Sequence, residues 1–126
     1  MQIYTGIDIV ENNRIKKAVE KHGDRFLKRV FTEDEIDYCS KKADSIPCLA
    51  ARFAVKEAFI KAFSQAFGIN LPLKSIEIKG FHRKHAEILL HPPDAKTRSY
   101  LTRMKYTFSL SHEKNYSVAS VIIYID

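Results

Sequence analysis

The chain has 126 residues, 45% of them hydrophobic, with 21 Lys or Arg against 15 Asp or Glu and a formal net charge of +6. At that length one domain, residues 1–126, with one modest core is expected. The longest apolar run is only the terminal strand and charges stand at Asp8 and Glu11, so neither a membrane span nor a signal peptide is predicted, and a cytoplasmic location with no membrane partner is expected.

Residues 2–10 are β-branched and apolar. Alternation predicts a strand with Ile3, Thr5, Ile7 and Ile9 on one face and Tyr4, Gly6, Asp8 and Val10 on the other. Asp8 is its only charge. A carboxylate among isoleucines either accepts backbone hydrogen bonds or helps hold a hard cation. From Arg14 to Arg29 there are seven Lys or Arg and two acidic residues, a local charge of +5. Arg14, Lys17 and Lys21 share one helical face, with Ile15, Ala18, Val19 and His22 on the other. Such a stripe is either a solvated face or a surface for an acidic partner.

Thr32 and Glu35 form a capping box ahead of a short helix through about Lys41. Cys39 and Cys48 lack partners for a zinc cage and are read as free cytosolic thiols, a regulatory disulfide being the lesser alternative. Pro47 suits the first turn of a long central helix and Gly68 its stop. On that helix Phe53, Val55, Phe59, Ile60, Phe63 and Phe67 fill one arc with alanines 54, 58, 62 and 66 beside it, and Arg52 and Lys56 fall inside the arc. Two buried cations demand an anion unless they snorkel to water. Glu57 and Lys61, spaced i,i+4, are at the least an ordinary surface pair.

Ile76 and Ile78 alternate with Ser75, Glu77 and Lys79 as a strand. Gly80 and the basic run Phe81 to Lys84 turn into a second strand at residues 86–90, and Pro92-Pro93 opens a helix through about Arg103. Residues 106–112 and 116–124 form a last hairpin with Ser111 and His112 at its tip. No repeat, low-complexity tract or linker interrupts the chain. Helices and strands run throughout with antiparallel pairing favoured, which predicts an α+β fold: a mostly antiparallel sheet packed with a long central helix and shorter ones.

Three blocks, in order, carry a family resemblance: Gly6-Ile7-Asp8-Ile9-Val10 with Arg14-Ile15, then residues 51–58 with Lys61-Ala62, then Ser109-Leu110-Ser111-His112 ahead of Ala119-Ser120-Val121-Ile122. A fourth, Arg25-Phe26 with Phe31-Thr32 and Glu35, lies between the first two. Together they resemble the short single-domain 4′-phosphopantetheinyl transferases, the holo-[acyl-carrier-protein] synthases, over essentially the whole chain. The resemblance implies transfer of 4′-phosphopantetheine from coenzyme A to a serine of apo acyl carrier protein, releasing adenosine 3′,5′-bisphosphate and supporting fatty acid biosynthesis. It implies Mg2+ held by Asp8 and Glu57, with Lys61 at the pyrophosphate and Glu57 or a metal-bound water as general base. Arg52, Lys56, Ser111 and His112 become groups for coenzyme A and its phosphates, and Arg14, Arg25 and Phe26 dock the carrier.

The family further implies a homotrimer with active sites between subunits, Asp8, Glu57 and Lys61 coming from one chain and Arg52 and His112 serving the neighbouring site. Against the family pattern, Ser64 replaces a frequent glycine, Ile60 a small polar residue, and His82-Arg83-Lys84-His85 stands where Gly-x-Pro is usual. Two other classes compete. A metal-dependent pyrophosphate or nucleotide hydrolase uses the same metal pair, and a basic RNA-binding module uses aromatics interleaved with cations; no RNA-recognition motif is present, so no nucleic-acid partner is expected.

Overall fold

The computed structural model describes residues 1–80 and 86–126. In chain order it contains β1 (Gln2–Glu11), α1 (Asn12–His22), α2 (Asp24–Val30), α3 (Glu33–Ser40), α4 (Ser45–Phe67), a 3-10 turn at Leu73–Ser75, β2 (Ile76–Lys79), β3 (Glu87–Leu90), α5 (Ala95–Leu101), β4 (Lys105–His112) and β5 (Tyr116–Ile125). β1, β5 and β4 form one antiparallel sheet in that order, and β2 pairs antiparallel with β3. The α+β arrangement around a long central helix is therefore the one expected.

Local signals set the helix ends. The Thr32 hydroxyl accepts from Glu35 N and a Glu35 carboxylate oxygen accepts from Thr32 N, the capping box in both directions. Asp44 caps α4 by accepting from Ile46 N, Pro47 sits in the first turn, and Gly68, at φ 71°, stops the helix in the left-handed conformation that glycine adopts without a Cβ penalty. α5 differs from expectation. It opens at its Asp94 cap, just after Pro92-Pro93, and ends at Leu101, because the Asp94 side chain satisfies Thr97 N. The turn expected at Phe81 to Lys84 lies outside the described residues.

α4 is buried nearly all round, which is why its apolar arc is so wide. Its alanine side meets the sheet: a Cβ on Gly6 would lie 1.9 Å from Ala58 O and 2.9 Å from Ala62 N. Strand and helix backbones approach that closely only because residue 6 has no side chain. Around the helix, Phe59 packs edge-on against Tyr106 at 5.6 Å, and Phe63, Phe67 and Tyr100 continue as a chain of rings. Phe31, Phe59 and Phe63 are fully buried, and no described Phe is among the exposed large hydrophobics.

The other face of the sheet is open. Register aligns Ile3 with Tyr124, Ile7 with Ser120 and Ile9 with Val118, and Ile3, Ile7 and Ile9 are 60%, 65% and 66% exposed. Among the described residues no helix is long and apolar enough to cross a membrane.

One expectation is corrected. Cys39 and Cys48 are not free thiols: the end of α3 and the first turn of α4 bring their Cα atoms to 5.6 Å and the sulfurs are bonded. Glu77 sits on the polar side of the alternation in β2. It is buried, and Glu77 Oε1 lies 2.7 Å from His91 Nε2.

Candidate active site

Asp8 points from the inner face of β1 toward α4, in a row with Ala119 and Leu110. Glu57 and Lys61, one turn apart, reach the same place from the helix. Lys61 Nζ donates to Asp8 Oδ1 at 3.1 Å and to Ile7 O at 3.0 Å. The Asp8 side chain is 15% exposed and that of Lys61 51%, so the cluster opens to solvent. Burial, and then the neighbouring Asp8 charge, hold the Glu57 carboxyl above the ordinary glutamate value, while Lys61 opposes the rise. Asp8 lies within the strand rather than at its end, and its carboxylate is partnered by the Lys61 ammonium rather than by backbone N–H groups.

Two carboxylates against one ammonium leave excess negative charge at an open surface. No group of three or more potential ligands exists among the described residues. A pair of carboxylates fits magnesium, which takes one or two protein oxygens and fills its octahedron with water and phosphate. The donor set is wrong for a closed zinc cage.

A second locus lies along the other side of α4. His112, at the end of β4, shares a cleft of about 360 Å³ with Arg52, Tyr38, Lys42 and Cys48. The Arg52 guanidinium stacks on the Tyr38 ring at 4.7 Å, and Lys42 sits over the same ring at 4.8 Å. Arg52 is nearly fully buried, and burial lowers its pKa against the pull of Glu35. Tyr38 and Lys42, spaced i,i+4, were not singled out in the sequence; a surface pair at that spacing carries no signal until Arg52 is placed beside it.

Lys56 is the main correction to the predicted site. An anion does meet it, but that anion is Glu35, at 2.8 Å, with both side chains fully buried. Lys56 Nζ also donates to Leu73 O at 3.1 Å and to Ile76 O, while Glu35 Oε2 accepts from Ile78 N at 2.9 Å. Every direction the ammonium can use is taken by protein, so Lys56 is a structural tie between α3, α4 and β2 and not a phosphate ligand. The capping box marks Glu35 as a helix-start residue, and nothing local to it reveals its second task.

Ser111 and His112 separate, as neighbours in a strand must. Ser111 is exposed in the outer row with Val118 and Ile9, away from Asp8. Arg25 and Phe26 line one shallow pocket with His22 and Arg29, whereas exposed Arg14 lies on α1. Phe26 packs edge-on against Phe31 at 6.2 Å, which leaves part of its ring at the surface.

A strand carboxylate, a helix carboxylate and a helix ammonium gather on one side of α4, and a cationic cleft lies along its other side. The sequence model of the 4′-phosphopantetheinyl transferase superfamily matches residues 4–121, and the chain belongs to that superfamily and to its transferase class. It is 43% identical over 122 residues to the holo-[acyl-carrier-protein] synthase of Leptospira biflexa serovar Patoc, covering 94% of each chain. In fold it is similar to the ACPS–CoA complex of Chronobacterium ammoniagenes, with TM-score 0.84 over 100% of this chain and 99% of that one at 24% identity. It is also similar to the Helicobacter pylori holo-[acyl-carrier-protein] synthase in complex with coenzyme A, with TM-score 0.71, 29% identity and 95% and 99% coverage.

Proposed function

We propose that this protein transfers 4′-phosphopantetheine from coenzyme A to the serine hydroxyl of an apo acyl carrier protein, in the cytoplasm and in support of fatty acid biosynthesis. The observation that carries the reading is the convergence of Asp8, Glu57 and Lys61, with Lys61 Nζ 3.1 Å from Asp8 Oδ1, in a chain of this superfamily. The serine oxygen attacks the pantetheine-side phosphorus of the pyrophosphate, its proton passes to Glu57 or to a water that Glu57 holds, and the bond to the leaving phosphate breaks. Adenosine 3′,5′-bisphosphate departs. Lys61 neutralises the leaving phosphate. Asp8 and Glu57 would hold Mg2+, which would supply charge neutralisation for the pyrophosphate.

Arg52 and His112 bind the nucleotide phosphates in their shared cleft. Ser111, on the outer sheet face, serves coenzyme A from the subunit boundary. Arg14, Arg25 and Phe26 receive the acidic carrier, the arginines pairing with carboxylates and the phenylalanine adding apolar contact. The open face of Ile3, Ile7 and Ile9 supports assembly as a homotrimer. In it the Asp8 cluster of one subunit and the Arg52 cleft of the next complete each site.

The test is intact-protein mass spectrometry of an apo carrier incubated with the protein, coenzyme A and magnesium, beside a chelator control. A gain of one phosphopantetheine group that chelation abolishes is expected. Coenzyme A cleavage with no gain on the carrier identifies a hydrolase instead, and no chemistry at all rejects both.

A further inference from the structure

Cys48 lines the cleft that contains Arg52 and His112, and its partner Cys39 is fully buried behind it. One sulfur of the disulfide is therefore reachable and the other is not. Arg52 Nη1 donates to Cys48 Sγ at 3.2 Å, so the bond touches a cation of the cleft directly. Tyr38, next to Cys39 at the end of α3, is the ring on which both Arg52 and Lys42 rest. The covalent link thus ties the helix end that supplies the ring to the helix turn that supplies the guanidinium. The loop between them, residues 41–44, carries Lys42.

We infer that the Cys39–Cys48 pair is a redox modification site that sets the anion affinity of the Arg52–His112 cleft. The inference rests on reading that cleft as the nucleotide-phosphate site. The step is thiol–disulfide exchange with a dithiol reductant. A thiolate of the reductant attacks Cys48 Sγ from the cleft, the S–S bond breaks, and Cys39 leaves as a thiolate and takes a proton. The second thiol of the reductant then displaces Cys48, so the reductant becomes a disulfide and the protein holds two thiols. With the bond broken Cys48 no longer ties α4 to the end of α3, and the freed end of α3 no longer fixes the Tyr38 ring on which Arg52 and Lys42 rest. Reduction weakens anion binding.

The experiment is calorimetric titration of the full-length protein with adenosine 3′,5′-bisphosphate, in the oxidised form and after reduction with dithiothreitol. Alkylation and intact mass report the thiol count of each sample. Carrier labelling is run on both. A loss in affinity of about fivefold or more on reduction is expected, the lower range of couplings between linked sites, with Cys39→Ser giving the weaker value in both buffers. Because the comparison of oxidised and reduced native protein needs no variant, poor folding of Cys39→Ser does not weaken it. Equal affinity in the two states overturns the redox site while continued carrier labelling upholds the transferase. Two alkylatable thiols in the oxidised sample overturn it as well, and no nucleotide binding in either state overturns both the redox site and the phosphate cleft.

Discussion

At Glu57 the fold holds a carboxyl above its ordinary value by burying it beside Asp8, with only Lys61 in opposition. A raised carboxyl favours the native state in its protonated form. That contribution is full below the ordinary glutamate value of 4.5 and is lost as the pH rises through the folded value. Ionised Glu57 therefore costs stability at neutral pH, and Glu57→Gln is expected to raise Tm at pH 7, the two proteins converging as the pH falls below 4.5. The same variant loses transfer by on the order of 10² or more, the scale of a lost general base. Melting curves across pH and the carrier mass assay check both halves, and a variant with near-normal transfer removes Glu57 from the chemistry. Lys56 is also a charge that burial disfavours, but here a buried partner, Glu35, depends on it. Lys56→Ala leaves Glu35 buried without its cation and should cost about 3–5 kcal/mol, read as a lower urea midpoint.

Among the elements, the contact of β1 with α4 sets the spacing of the site. Gly6 lies two residues before Asp8, and Ala58 lies one after Glu57. A methyl at position 6 would sit 1.9 Å from Ala58 O, a main-chain atom that no rotamer change can move. Gly6→Ala is expected to lose about 1–3 kcal/mol from overpacking, and to slow transfer as Asp8 moves away from Glu57 and Lys61. Adding Ala58→Gly should not restore either property, because the clash is with the carbonyl oxygen. Urea titration and transfer rates of the single and double variants measure this. The elements themselves were legible in local chemistry: the capping box at Thr32 and Glu35, the stop at Gly68 and the alternation of β1 all act within a few residues. Alternation says nothing of the burial of Glu77, whose carboxylate meets His91, 14 residues away in the chain.

For the whole molecule, the open sheet face is the feature a lone protomer does not explain. Ile7 is 65% exposed, so Ile7→Asp should change protomer stability by no more than about 0.5 kcal/mol, as exposed substitutions do. In the proposed trimer it would place charges in the interface between subunits. The expected result is a folded monomer with little transfer, measured by light scattering behind size exclusion and by the carrier assay. A trimer of normal activity would mean that this face is not the interface. The sequence by itself determined most of the helices and strands, though not the separate α2, the Asp8, Glu57 and Lys61 candidates through their motif blocks, and the need of Lys56 for an anion, since periodicity, caps and the cost of a buried charge are written in neighbouring residues. Only the tertiary structure decided that the anion is Glu35, that Cys39 bonds Cys48, that Arg52 shares its cleft with His112, and that Ser111 faces the other way. Those outcomes depend on the directions in which distant side chains point once α4 is laid against the sheet, and no local interaction carries that information.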